Sequence, residues 1–231
     1  MSRPRAVLSW SSGKDSAWTL QMVRETGAFE LVGLLTSLNG AVDRVAMHGV
    51  RGEVLRAQAR AADLPLTEAA LPWPCDNATY EACVGAALEQ LKVEQGVTHV
   101  IFGDLFLEDI RAYREAQVAK VGLEPVFPLF GRDTTELARE MIRGGLEAHL
   151  ACVDSEQLPP ELSGHRFDEA LLSALPSGAD PCGENGEFHT VVSAGPMFGG
   201  ALPLMKGEAH DDGRFFYTDF WLTPPARPES S

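Results

Sequence analysis

Six residues near the start of the chain, Ser11-Ser12-Gly13-Lys14-Asp15-Ser16, combine three hydroxyls, an ammonium, a carboxylate and a glycine directly after a short apolar run. Small residues let the backbone approach a ligand closely, and free amides at a helix start attract anions. The hydroxyls of Ser11, Ser12 and Ser16 add donors. Lys14, expected at a solvent-facing helix start, adds a point charge. The segment reads as a polyphosphate cradle, against the weaker reading of a Ser/Gly turn that caps a helix. It does not follow the spacing G-x-x-x-x-G-K-[ST], because no Gly stands five residues before Gly13 and Asp15 follows the lysine.

A second reactive cluster is Asp180-Pro181-Cys182-Gly183-Glu184-Asn185-Gly186-Glu187-Phe188-His189-Thr190. Strand alternation beyond its glycines would send Glu187 and His189 to one side and Phe188 to the other. A carboxylate and an imidazole converging there can bind ammonia, take a proton from it or hold a polar substrate. The competing reading is a decorated hairpin turn, and Cys182 raises a weaker idea of a sulfur carrier. Two further loops follow apolar runs: Arg44-Val45-Ala46-Met47-His48-Gly49-Val50 and Gly103-Asp104-Leu105-Phe106-Leu107-Glu108-Asp109-Ile110-Arg111. Asp104 is a candidate Mg²⁺ or ribose contact, or an Asx turn capping the next helix. His48 is a candidate contact to nucleotide or substrate, or a structural histidine. Arg111 and Arg114 read as solvated helix charges.

These segments need a scaffold, and the pattern supplies one. Apolar runs at Ala6–Trp10, Phe29–Thr36, Leu66–Ala70, Thr98–Phe102 and Glu124–Phe127 alternate with helical patterns near Lys14–Thr26, Val50–Ala62, Asn77–Gln95 and Ile110–Val121. In the third helix Tyr80, Cys83, Ala87 and Leu91 share a face, with Asn77 placed to cap it. Such alternation predicts an α/β fold with a parallel sheet covered on both faces, and ligands at the carboxyl ends of its strands. After about residue 130 the rhythm changes. A helix is expected at Thr134–Arg143, an apolar run at Glu147–Val153, a helix at Phe167–Leu175, and β runs at Phe188–Ser193 and Arg214–Leu222. The expected division is a nucleotide-binding unit over residues 1–130, a smaller α+β unit over 131–222, and a frayed tail over 223–231.

Composition narrows the partners. The chain has 231 residues with 33 acidic and 19 basic side chains, a formal net charge of −14. That balance argues against broad binding to a nucleic-acid backbone, which needs clustered Lys and Arg. Cys75, Cys83, Cys152 and Cys182 form no C-x-x-C pair and read as free thiols of a reducing compartment. Ala6-Val7-Leu8 is too brief for a signal peptide, and no run reaches the roughly 18 apolar residues of a membrane helix. The expectation is a cytoplasmic protein without a membrane partner.

The phosphate loop resembles the PP-loop S-G-G-x-D-S of the N-type ATP pyrophosphatases (adenine nucleotide α-hydrolase-like enzymes), with Ser12 in place of the first Gly. Together with Met47-His48-Gly49-Val50, Gly103-Asp104 and Gly183-Glu184-Asn185-Gly186-Glu187-Phe188-His189-Thr190, in this order, it is similar to the diphthine–ammonia ligase family and its bacterial relatives, over roughly residues 5 to 222. The resemblance implies a HUP-like (Rossmann-like) domain followed by a smaller one. It implies an ATP-dependent, amide-forming ligase that adenylates a carboxylate and releases AMP and pyrophosphate, with ATP and Mg²⁺ as cofactors and ammonia as nucleophile. By it Ser11, Ser12, Gly13, Lys14, Asp15, Ser16, His48, Gly103 and Asp104 contact the nucleotide. Asp15 and Asp104 are the candidate metal ligands, and Glu184, Glu187, His189 and Thr190 line the acceptor site. The expected acceptor is a small carboxylate or a modified protein, and assembly is left open, a homodimer being one option. Two alternatives remain: a PP-loop sulfurtransferase acting on tRNA, and an ATP-binding sensor without turnover.

Overall fold

A computed structural model describes residues 2–45 and 48–223. Ala46 and Met47, part of the loop motif singled out above, and residues 224–231 of the expected tail lie outside the described residues. Thr223 is described, and its amide donates to the Pro203 carbonyl at 2.8 Å.

The first sheet contains β1 (Arg5–Ser9), β2 (Glu30–Asn39), β3 (Arg44–Val45), β4 (Leu66–Leu71), β5 (His99–Ile101) and β6 (Glu124–Val126). Four pairings are parallel: β1 with β2, β1 with β5, β2 with β4, and β5 with β6. The parallel strands therefore run β4-β2-β1-β5-β6, with β1 at the point where the direction of winding reverses. An open α/β sheet binds its ligands in the crevice at that switch. β3 is a two-residue antiparallel addition to the far end of β2.

Helices α1 (Lys14–Thr26) and α2 (Gly52–Ala61) cover one face, while α3 (Asn77–Gln95) and α4 (Glu108–Lys120) cover the other. The sheet's apolar residues divide accordingly. Ala6, Leu8 and Leu34 join one core, whereas Val7, Leu35 and Val100 join the second with Val84, Leu88 and Val118. Two helix details differ from the sequence reading. The cap of α3 is Asp76, whose carboxylate accepts from the Thr79 amide at 2.8 Å, and its deepest stripe is Val84-Leu88-Leu91, one residue round from the expected face. Helix α2 begins at Gly52 rather than Val50, because Arg44 bridges Arg51 and Val50 accepts from the Val45 amide.

The second sheet is antiparallel, in the order β8-β7-β10-β9, from β7 (Glu147–Asp154), β8 (Phe188–Ala194), β9 (Leu204–Asp211) and β10 (Phe215–Leu222). Helix α5 (Thr134–Arg143) leads into it, and α6 (Glu169–Ala174) sits in the β7–β8 connection. Helix α6 is shorter than expected, because the Asp168 side chain caps it through the Leu171 amide while Phe167 bonds back to Ala148. Strand β9 was not anticipated. Lys206, Glu208 and His210 leave it no apolar alternation, and it lies exposed at the sheet's edge. Ala148, Leu150, Val153, Val191 and Val192 of the second sheet belong to the same buried cluster as Leu8 of the first and Leu20 and Leu55 of its helices α1 and α2.

Candidate active site

The Ser11–Ser16 loop leaves β1 at the switch point and opens α1. Ser12 adopts φ 74°, the left-handed region that a glycine enters without steric cost. Its side chain is fully buried, and its carbonyl accepts from Gln58 Nε2 and from the Val192 amide, both at 3.1 Å. Gln58 also donates to the Val192 carbonyl at 2.8 Å and accepts from Trp10 Nε1 at 3.1 Å. One buried amide thus ties the loop to Trp10, just after β1, and to β8. Within the loop, Ser16 Oγ donates to the Gly13 carbonyl at 3.0 Å and lies 3.1 Å from Ser11 Oγ. Helix α1 has Gly13 at its cap position and no capping side chain of its own. Thr190 Oγ1, 176 residues away, accepts the Lys14 amide at 3.0 Å and serves instead.

Lys14 corrects the sequence reading. It is 2% exposed, not solvent-facing. Its ammonium donates to both Asp15 carboxylate oxygens, at 3.0 and 2.8 Å, and to the Cys182 carbonyl, and it lies 5.6 and 5.4 Å from the ring centres of Phe167 and Phe188. The cause is tertiary: the 180–190 segment folds over the start of α1. Burial alone would lower the Lys14 pKa, but the adjoining Asp15 carboxylate outweighs it and holds the ammonium above its ordinary value.

The expected acceptor residues take four separate places. Glu184 Oε1 accepts from the Leu105 amide at 2.7 Å, so it holds the loop after β5, and burial raises its pKa to about 7. Gly103 of that loop packs on α1: a Cβ there would meet the Asp15 carbonyl carbon at 3.0 Å. Glu187 Oε1 accepts from the Asp180 amide at 2.8 Å and from Asn185 Nδ2 at 3.1 Å, closing its own turn, while Oε2 is buried without a partner among the described residues. Thr190 is committed to Lys14. His189 does not meet Glu187 in a hydrogen bond among the described residues. It lies against His48, ring centres 4.4 Å apart at 38°. Burial and then the Lys14 charge push His189 down to about 4. Burial, His189 and Lys14 carry His48 well below the ordinary imidazole range. Both rings are therefore neutral at pH 7. A Cβ on Gly13 would sit 3.4 Å from His48 Cε1, so this pair borders the phosphate loop.

Asp15 and Asp104, the candidate metal ligands, each face a cation. Asp15 is held by Lys14, and Asp104 Oδ1 lies 4.0 Å from Arg114 Nε. Among the described residues no cluster of three or more His, Cys, Asp or Glu is arranged to hold a metal ion. Cys182 donates to the Thr134 carbonyl at 3.4 Å, and burial pushes its thiol well above the usual range, which suits a packed side chain better than a sulfur carrier.

Beside the loop opens a cavity of about 850 Å³. Ser11 and His48 line it, together with residues to which the sequence assigned no ligand role: Thr36 of β2, Tyr80 of α3, and Tyr113 and Gln117 of α4. Arg114 also lines it and stacks 5.3 Å from the Phe102 ring centre, so it is not the solvated charge expected. Arg111 likewise stacks on Phe130 at 4.6 Å while pairing with Glu115. Thr36 Oγ1, His48 Nδ1, Arg114 Nε and Gln117 Nε2 are all buried without a hydrogen-bond partner among the described residues. Four unpartnered polar atoms on residues around one cavity are the mark of a site that expects a polar ligand. The signal for Thr36 was its place at the carboxyl end of the apolar run Phe29–Thr36. Gln117 and Arg114 carried none beyond helical spacing.

Fold and site together define a HUP-like α/β protein whose C-terminal antiparallel sheet is clasped onto the loop at its switch point. Comparison with known proteins sharpens this. Residues 133–218 match the family described as the diphthamide synthase C-terminal domain. The chain is also similar to the diphthine–ammonia ligase of Danio rerio, 30% identical over 141 residues, which is 55% of this chain and 53% of that relative. It thus spans about half the length of the curated relative it matches. Both likenesses point to the diphthine–ammonia ligase family, the first through the C-terminal domain and the second over about half of the chain. Among the described residues no helix is long and apolar enough to cross a membrane.

Proposed function

We propose that this chain is an ATP-dependent amide-forming ligase of the cytoplasm, acting on a small carboxylate or a modified protein with ammonia as nucleophile. The observation that carries the reading is the loop after β1, set at the sheet's switch point and opening onto the 850 Å³ cavity with its unpartnered polar atoms. ATP supplies a phosphoanhydride bond that, once broken between the α- and β-phosphates, leaves the carboxylate as an acyl-AMP mixed anhydride and releases pyrophosphate. Ammonia attacks the acyl carbon, the bond to the AMP oxygen breaks, and loss of a proton gives the amide.

The chain's own residues have the following parts. Ser11, Ser12, Gly13 and Ser16 present amides and hydroxyls to the β- and γ-phosphates. Lys14 fixes Asp15 and draws the 180–190 segment over α1, contributing positive potential from behind the loop rather than a direct contact. The cavity takes the nucleoside. Asp15 and Asp104, one or two carboxylates being what such a site asks of a protein, would hold a Mg²⁺ ion that would neutralise phosphate charge. Gly103 permits the close approach that keeps the Asp104 loop beside α1. Neutral His48 and His189 flank the loop where a proton leaves the attacking nitrogen. The boundary near residue 130, between an ATP-binding and a substrate unit, is part of this proposal. Chromatography of the nucleotide products, with Mg-ATP, ammonia and a panel of carboxylic acids, tests it. AMP and pyrophosphate are expected, and ADP with phosphate would end the reading.

A further inference from the structure

The turn that carries His48 is fastened by a strand more than 160 residues later. Arg44, just before the turn, donates from Nη1 to Asp219 Oδ1 at 3.0 Å, and Arg51, just after it, donates from Nε to both Asp219 oxygens at 3.0 Å and from Nη2 to Oδ2. Arg44 also closes the turn on itself through the Gly49 carbonyl at 2.6 Å. Strand β10 supplies two further walls. The Arg51 guanidinium lies 5.6 Å from the Trp221 ring centre, and a Cβ on Gly49, at φ 68°, would meet Tyr217 Cδ1 at 2.9 Å. Asp219 itself is 16% exposed, so its charge is poorly screened.

We propose that Asp219 is a positioning residue: it draws Arg44 and Arg51 together and so presents the His48 ring to His189 and the phosphate loop. Without it two guanidinium groups face each other across a two-residue bridge, and like charge drives the ends of the turn apart. The His48 ring bonds the Thr190 backbone and makes no hydrogen bond through Nδ1 among the described residues, so the clamp on the turn's ends shares in deciding where its ring lies. Placement of the ring stands on this geometry alone. Its catalytic consequence rests on the ligase reading above.

The test is a pH titration of the His48 ring by NMR in the full chain, assigned with His48→Gln. The groups facing the ring are His189, Lys14 and the Thr190 backbone, which all remain in the variants. In the wild type His48 stays neutral far below the ordinary value. In Asp219→Ala its midpoint is expected to climb towards about 6.5, that of a solvated imidazole, with the His99 resonance unmoved. Asp219→Glu, which keeps the charge, is expected to restore the depressed midpoint. Should Asp219→Ala fail to fold, Arg51→Met removes one arm of the clamp and is expected to give an intermediate rise. A depressed midpoint in every folded variant overturns the proposal. If the ligase reading holds, Asp219→Ala also loses AMP formation, on the order of 10²-fold, while retaining Mg-ATP binding. ADP as the wild-type product would refute that reading and leave the titration result standing.

Discussion

The C-terminal sheet grips the first sheet at two places, and the two grips are built from different chemistry. At β8 the joint is buried and made largely of neutral hydrogen bonds: Thr190 to the Lys14 amide, Val192 to the Ser12 carbonyl, and Gln58 across both. Its one ion pair among the described residues, Lys14 with Asp15, sits within a single helix turn. At β10 the joint is a half-buried carboxylate between two arginines. Buried polar contacts are modest in net value but costly to leave half-made, whereas the worth of a charge pair changes with pH and salt. The β8 joint therefore fixes the loop's shape, and the β10 joint is proposed to set the placement of the His48 ring beside it.

The largest expected effect falls on Lys14. Lys14→Ala leaves the Cys182 carbonyl and the Asp15 carboxylate without their cation and opens a hole between Phe167 and Phe188. A loss of about 3 kcal/mol is expected, the scale for removing one partner of a buried pair, measured by denaturant unfolding followed by circular dichroism. A loss below about 0.5 kcal/mol, the scale of a surface site, would mean the ammonium faces solvent and the β8 joint is looser than described.

The β10 clamp has a smaller, pH-dependent signature. Burial pushes the Asp219 pKa up, but hydrogen bonds from Arg51 and Arg44 outweigh it and hold it at about 2. A carboxylate depressed in the folded state contributes stability above its unfolded pKa of about 3.9, and that contribution disappears as pH falls towards about 2. The gap in stability between the wild type and Asp219→Asn should be about 1–2 kcal/mol at pH 5 and close as the pH approaches 2. Denaturant midpoints across that range measure it. A gap unchanged over the range would assign the clamp's value to shape instead of charge.

Much of the scaffold was readable from pattern alone, for local reasons. Helix α1 runs over the expected Lys14–Thr26 because glycines at 13 and 27 bound an amphipathic stretch, and α5 over Thr134–Arg143 because Asp133 caps it. Where tertiary context decides, the pattern was silent. Strand β9 has no apolar face to announce it. Val50 and Arg51 look helical but are used in bridging Arg44 and Val45. The site divides the same way. The loop's residue types announce an anion cradle, and Ser12 occupies a position whose backbone favours glycine. Nothing local tells that Lys14 turns inward, because Phe167, Cys182 and Phe188 decide it from far along the chain. The same holds for Glu184 and Glu187, which hold loops together, and for His189, whose neighbour is His48 rather than Glu187.

The central claim is that the loop after β1 and the cavity beside it together take one nucleotide. A crystal structure with Mg²⁺ and α,β-methylene-ATP tests it most directly. The account places the β- and γ-phosphates within hydrogen-bond distance of Ser11, Ser12, Gly13 and Ser16, and the nucleoside in the cavity near Thr36 and Phe102. A nucleotide bound elsewhere on the chain, or phosphates turned away from the loop, would contradict it.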